Sequence, residues 1–487
     1  MNYLDLSAEA FLLVPLATII IYNICPKKLS EKYFYVFAAA VAIIQIIASV
    51  SMFYLMNVLH MREHNFIFLK VLGKSGMGSL CITYFSPVFL FCIGLVSFAS
   101  VMIAMHTIDA KKTHYVNLLM TLITGMNGMI LVKDLFSLYV FLEIVGLSSF
   151  VMIAMFQSKK GLEGSVKYLV MSEFASIFIL TALALIFMQT GSLSYDAVGS
   201  FLLDGAASSQ KMMIYFSVIL LISAFAIKTG AVPFHSWLPD AHQSADTAIS
   251  VLLSGIVIKI AGVYSLIVLT RLFSGIEAVH VTLATIGILS IVTGALLAAK
   301  QNHFKRIIAY SSVSQMGYIL LGLSTGTTLG LIGSVAHVFS HAVFKTTLFT
   351  NAGALHEHFE SLDINEMGGL QSRMPVTAFS SIIAFLSTAG IPPFTGFWSK
   401  LLIVMALWTS GNPVMAGAAL TASIFTSAYF LRLQKKVFFG PLPDRLSEVK
   451  EVTGSIKFIE ILLTAVTITV GVLFPMILVY LQNAGTI

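Results

Sequence analysis

Long apolar runs alternate with short polar connections along this chain. Runs long enough to cross about 30 Å of hydrocarbon fall near residues 8–24, 33–57, 84–105, 115–132, 135–156, 165–189 and 212–238. Others fall near 248–270, 279–299, 306–325, 329–353, 374–408, 413–431 and 456–481. In lipid a backbone must satisfy its own hydrogen bonds, so each run predicts a membrane helix, fourteen in all. The first run carries Asp5 and Glu9 near its start and has no basic segment ahead of it. It therefore reads as a span and not as a cleaved signal peptide.

Two of these runs are interrupted. AFAIKTGAVPFHSWLPDAH at 224–242 places Gly230 and Pro233 just behind Lys228, and STAGIPPFTGF at 387–397 places Gly390, Pro392 and Pro393 just ahead of Lys400. A proline removes a backbone hydrogen bond, so both runs predict broken helices. KTGAVPFHSW at 228–237 also echoes TAGIPPFTGF at 388–397: Gly230 matches Gly390, Pro233 matches Pro393 and Phe234 matches Phe394, at one offset of 160 residues. Interrupted spans in corresponding halves point to a transporter built from repeats, with its working centre at the breaks. Lys228 precedes its break and Lys400 follows its own, so the two need not occupy equivalent places.

Composition makes lipid the main solvent. Of 487 residues, 57% are hydrophobic and 10% are charged, against about 25% charged in an ordinary soluble domain; mean hydropathy is +0.92. With the N-terminus outside, the inside connections hold eighteen of the 28 lysines and arginines, Lys305 among them, and the outside connections hold six. That bias places both termini outside and makes the net charge of +6 a property of inside loops, not of a nucleic-acid surface. The three cysteines, Cys25, Cys81 and Cys92, have no CxxC or metal spacing. GKSGMG at 73–78 fails the phosphate-loop pattern because position 68 is Phe, and the HEH at 356–358 reads as solvated surface. No cofactor is indicated, and any electron chemistry must come from partner subunits.

The remaining four basic residues, Lys228, Lys259, Lys345 and Lys400, lie within predicted helices, as do the acids Glu143 and Glu173. A charge at the bilayer centre costs at least about 2.5–3.5 kcal/mol, so intramembrane ionisable residues mark ion paths. Burial disfavours both charges and pairing restores them, which makes a Glu143–Lys228 pair a switch. Lys259 is flanked by Gly255 and Gly262, small residues that admit a close helix or water. His337, His341 and Lys345 recur at i, i+4 and i+8 on one helix face. HxxxH can bind a metal, but no HExxH glutamate and no cysteine accompanies it, so the face reads as a proton relay. Glu173 lies a turn and a half from Lys167 and is either interfacial or part of the path. Asp240, His235 and His242 at the exit of the first break are equally readable as loop polar groups.

Together these stretches resemble the antiporter-like membrane subunits shared by respiratory complex I, Mrp-type sodium/proton antiporters and energy-converting membrane-bound hydrogenases. The resemblance covers roughly residues 80–440. It rests on DLFSLYVFLE with Glu143, IKTGAVPFHSWLPDAH with Lys228, SGIVIKIAG with Lys259, FKRIIAYSSVSQMGY with Lys305, HVFSHAVFKTTLF, and MPVTAFSSIIAFLSTAGIPPFTGFWSK with Lys400. It implies an all-α integral membrane fold in which the helices after the third form two inverted five-helix repeats, each with one broken helix. The expected organisation is a three-helix segment at 1–110, repeats at 111–273 and 274–435, and a cytoplasmic loop with a final helix at 436–487.

The resemblance further implies that Glu143, Lys228, Lys259, Lys305, His337, His341, Lys345 and Lys400 form a central proton-carrying axis. It implies partner membrane subunits in an inner-membrane complex, and protons, with or without sodium exchange, as cargo. The D-type Mrp subunit and its hydrogenase counterparts are nearest in pattern, with the smallest of complex I's three such subunits also open. A long lateral helix is not expected, since the chain ends shortly after its fourteenth span. Lysine stands at 400 where one complex I subunit has glutamate. The family's frequent aspartate in the sixth span is absent, its place reading Ser176, and whether Glu173 substitutes is open. A self-sufficient antiporter and a non-transporting membrane protein are the alternatives; the buried lysines disfavour the second.

Overall fold

The computed structural model describes residues 3–59, 63–67, 79–203, 208–452 and 454–485. The first third contains α1 (Tyr3–Ile24), the short α2 (Lys27–Lys32), α3 (Phe34–Val58), α4 (Ser86–Thr107), α5 (Lys112–Leu131), α6 (Leu135–Ala154) and α7 (Lys159–Thr190). A surface turn of helix, α8 (Tyr195–Leu203), leads to α9 (Ser208–Thr229), and α10 (Trp237–Ser244) follows the first break. The next helix starts as α11 (Thr247–Leu252), passes through two π-helical stretches, Leu253–Val257 and Lys259–Tyr264, and ends as α12 (Ser265–Leu272). Then come α13 (Glu277–Lys300), α14 (Phe304–Ser324), α15 (Thr328–His356), α16 (Pro375–Ala389), α17 (Thr395–Thr409), α18 (Pro413–Gln434) and α19 (Gly454–Gly485). An antiparallel hairpin, β1 (Glu63–Ile67) with β2 (Ser79–Thr83), is one element that the apolar pattern does not predict. The GKSGMG segment lies outside the described residues.

Among the described residues, eleven helices are long and apolar enough to cross a membrane. The other three predicted runs fall on α5, on α15, and on the shorter apolar pair α16 and α17, which is consistent with fourteen spans. Burial sorts the helices. The helix Thr247–Leu272 is wholly enclosed, and α14 is almost entirely buried. By contrast α18 and α19 are largely exposed, at 33% and 28% buried. Their exposed side chains are apolar, as with Val414, Ile424 and Met476, so the outer surface suits lipid or neighbouring subunits. An enclosed helix can carry polar groups that a lipid-facing one cannot. That is where Lys259 lies.

Both broken helices end in the same way. Ala231 N–H donates to Ala226 O and Gly230 N–H to Ile227 O, each at 3.0 Å. Ile391 N–H donates to Leu386 O at 3.0 Å and Gly390 N–H to Ser387 O at 3.1 Å. This is the double-bonded cap that a left-handed glycine permits, and Gly230 (φ +67°) and Gly390 (φ +82°) provide it. Each chain then turns once more, through Phe234 N–H to Ala231 O and Phe394 N–H to Ile391 O. The offset of 160 residues seen in the sequence therefore holds for three successive backbone bonds.

Candidate functional site: a row of buried lysines

Lys228 sits at the last turn of α9 and is 5% exposed. Its Nζ donates to Ser172 Oγ on α7 at 2.6 Å and lies 3.9 Å from Glu143 Oε1 on α6. Ser176 Oγ, one turn along α7 from Ser172, reaches the same Glu143 oxygen at 2.5 Å. The pair is thus seated on a serine platform. Gly146, one turn beyond Glu143, keeps the approach open, since a Cβ there would stand 3.6 Å from Lys228 Nζ. Ser176, at the place where the resemblance leads one to expect aspartate, supplies a hydroxyl to Glu143 instead. Glu173 makes no hydrogen bond or ion pair with this group among the described residues and is exposed on α7 beside Phe174 and Ile177.

Lys259 opens the second π-helical stretch and is fully buried. π-helical turns occur mostly as short stretches inside α-helices, often at functional sites, and Lys259 Nζ donates to the carbonyl of Ser254 in the stretch just before it. Gly262 lets this helix meet the end of α9: a Cβ there would fall 2.8 Å from the Thr229 backbone nitrogen. Lys259 and the Lys228 break are therefore packed together. The small residues that flank Lys259 in the sequence serve close helix approach.

His337, His341 and Lys345 line the inward face of α15, and all three are 0% exposed. Lys345 Nζ donates to Ile308 O at 2.7 Å and to Ser311 Oγ, both on α14. The His337 and His341 rings are 6.4 Å apart, and His337 Nδ1 is 2.9 Å from Ser399 Oγ on α17. Neither ring nitrogen of His341 has a hydrogen-bond partner among the described residues.

Lys400 Nζ donates to Thr388 O at 2.8 Å and to Ser423 Oγ at 3.3 Å. It stands 4.3 Å from the centroid of the Tyr318 ring, a cation–π contact. His337 neighbours the same ring, at 5.8 Å between centroids. Glycine is required where the helix resumes, because a Cβ on Gly396 would lie 1.8 Å from Ser387 O. Thr388 is the position that matches Lys228 at the 160-residue offset, so Lys400 reaches back across its break to the backbone of the residue that corresponds to Lys228.

Two sequence readings need correction. The span pattern counts Lys305 with the loop residues, yet it is 4% exposed and donates to Ala245 O at 3.1 Å; the loop after α10 folds over it. The pair of intrahelical acids is also incomplete. Glu460, on α19, is 0% exposed, and the sequence masks it because it follows a loop already rich in acids, Glu448 and Glu451.

At the exit of the first break, Asp240 pairs with Lys167 and with Arg306 at 2.8 Å each. Burial pushes its carboxyl up, but the hydrogen bonds and charges of Lys167 and Arg306 outweigh that and hold it below the usual range. It reads as a clamp between α7, α10 and α14. His242 is buried against Phe349, with centroids 4.8 Å apart, and His235 lies 6.3 Å from the Tyr310 ring.

A polytopic bundle with two alike helix breaks and a row of enclosed lysines is the architecture of an antiporter-like membrane subunit. The family described as NADH:quinone oxidoreductase/Mrp antiporter, transmembrane region, matches residues 132–426, a span that contains every lysine and histidine of the row. The chain belongs to this family. It is 29% identical over 391 residues to the D-type subunit of the Na(+)/H(+) antiporter of Alkalihalophilus pseudofirmus, covering 80% of this chain and 78% of that protein. It is 31% identical to the N-type subunit of the NADH-quinone oxidoreductase of Herminiimonas arsenicoxydans, over 69% of this chain and 70% of the relative. Among solved structures, a chain of the Mrp complex from Dietzia sp. superposes with a TM-score of 0.88 at 22% identity, covering 98% of this chain and 96% of that one. A chain of the membrane-bound sulfane sulfur reductase, an archaeal respiratory membrane complex, superposes with a TM-score of 0.87 at 29% identity, over 98% and 97%.

Proposed function

We propose that the chain moves protons across an energy-converting membrane as one subunit of a larger complex, along a row from Glu143 and Lys228 through Lys259 and the His337/His341/Lys345 face to Lys400. One observation carries this reading. Lys259, Lys345 and Lys400 are buried in the protein interior and, among the described residues, have neutral acceptors only: Ser254 O, then Ile308 O and Ser311 Oγ, then Thr388 O and Ser423 Oγ. Without a fixed counter-charge, the charge state of each lysine depends on that of its neighbours, which is the condition for passing a proton along a row. Lys228, by contrast, has the Glu143 carboxylate within reach and suits a gated entry.

The matching breaks support two inverted repeats, at 111–273 and 274–435, each bringing one ammonium to its own break. Lys305 stands at the lysine- and arginine-rich end, which the positive-inside pattern assigns to the cytoplasm, with both termini outside the inner membrane. The relatives named as subunits favour a complex over a self-sufficient exchanger; sodium exchange accords with the name of the Alkalihalophilus relative. Reconstituting the chain alone and within its native complex separates the two. Proton flux only in the complex supports the proposal; equal flux by the chain alone gives the self-sufficient antiporter.

A further inference from the structure

The last helix carries a polar cluster that the lysine row does not use. Glu460 on α19 receives Asn351 Nδ2 of α15 at 2.7 Å on Oε1 and faces Thr377 Oγ1 of α16 at 3.0 Å on Oε2. The same Thr377 oxygen is 2.9 Å from Glu451 Oε1, and Glu451 Oε2 accepts the Val376 N–H at 2.6 Å. No lysine, arginine or histidine forms an ion pair with Glu460 among the described residues. Asn351 Nδ2 also donates to Ser380 Oγ at 2.6 Å, while Asn351 Oδ1 is buried without a partner among the described residues.

The hydrogens do not suffice for two carboxylates. Three oxygens stand in line, Glu460 Oε2, Thr377 Oγ1 and Glu451 Oε1, with contacts of 3.0 and 2.9 Å. A hydroxyl has one hydrogen and donates once. With both carboxyls ionised, one contact would set lone pair against lone pair. One proton on the pair resolves this, and the enclosed Glu460, whose ionised form is the costlier to bury, is the partner to hold it: its O–H donates to Thr377 Oγ1, which donates to the half-buried Glu451.

We propose that Glu460 is a proton-loading site at the lysine- and arginine-rich end of the second repeat, filled through Glu451 and Thr377 and discharged past Asn351 towards Lys345. This rests on the lysine row being the transport path. Glu451 is half-buried in the loop that leads into α19, while Glu460 is enclosed between α15 and α16. Asn351 and Lys345 share α15 six residues apart, about 9 Å along its axis. The charged groups acting on Glu460 are Glu451 and Glu357 at the end of α15; Lys457 lies one turn before it in the chain, His106 of α4 stands beside the start of α19, Lys345 is bonded to α14, and α16 contributes none.

The test uses native membranes containing the assembled complex. Infrared difference spectra across a pH step should show a protonated-carboxyl band that Glu460→Gln abolishes and that Glu451→Gln shifts to lower pH. Glu460→Gln should cut proton translocation by about tenfold or more, as loss of a positioned proton donor does, with assembly retained and Glu460→Asp restoring part of it. A band unchanged in Glu460→Gln, or full translocation by that variant, overturns the assignment. Lys400→Ala in the same membranes keeps the two readings apart. If it abolishes translocation while Glu460→Gln does not, the row stands and the loading site falls. If Lys400→Ala pumps normally, the row falls, and the loading site, which depends on it, falls with it.

Discussion

Lys400 donates to the carbonyl of Thr388 at 2.8 Å, and Thr388 holds the place that Lys228 holds in the other half of the chain. Lys228 carries its ammonium from the residue at the first break, and Lys400 reaches back to the second break from the following helix. The interrupted spans are alike in backbone, although the lysines are not sequence equivalents.

Lys400 must change its protonation if it is the terminal site. Lys400→Ala should leave the complex assembled with electron transfer largely present, while translocation through this subunit is lost. Lys400→Arg should fail too, because guanidinium does not deprotonate in this range. Pumping by Lys400→Arg at the parental rate would make the residue a fixed charge.

Glu143 and Lys228 should behave as a coupled pair. In a double-mutant cycle of Glu143→Gln and Lys228→Ala, read out as proton pumping, the double variant should lose little more than either single one. Ser172→Ala should weaken pumping more than Ser223→Ala on α9, since Ser172 bridges to the ammonium. Losses that add across the cycle would dissolve the pair.

The Asp240 clamp gives a pH signature. Its carboxyl is held below the usual value in the folded chain, so its stabilisation is present above about pH 4, the ordinary carboxylate range, and fades as pH falls through the lower folded value. Asp240→Asn should therefore destabilise at neutral pH by on the order of 1 kcal/mol, given partly exposed partners. The difference from the parent should shrink in acid. Thermal unfolding of the purified complex at pH 7 and at acid pH measures it.

Topology is a separate test. The segment 432–457, with Arg432, Lys435, Lys436, Arg445, Lys450 and Lys457, should be cytoplasmic and the C-terminus outside. A C-terminal reporter active only in the cytoplasm would contradict an even count of spans with an outside N-terminus.

The lysine row is legible in the sequence because a charge within an apolar run has no ordinary explanation in lipid. The breaks are legible from glycine and proline. What the sequence hides is of another kind. Serines are ordinary in membrane helices, so nothing marks Ser172 and Ser176 as the platform under Lys228 and Glu143. The π-helical turns around Lys259 have no pattern of their own. Lys305 and Glu460 sit within two turns of a charged loop, where a solvated residue looks the same as an enclosed one; only the fold of the loop after α10, and of α15 and α16 around α19, separates them. The hairpin β1–β2 lacks the run of alternating residues that would announce it.

Lys259 is the lysine to test, being fully enclosed and packed beside the first break. The measurement is protons moved per turnover by the native complex in sealed vesicles, with Lys259 replaced by methionine, which keeps the length and packing of the side chain without its charge. The expected result is an assembled complex whose translocation through this subunit is lost while its driving reaction continues. Undiminished translocation by Lys259→Met would contradict it, for no proton could then be crossing between the halves through the buried row.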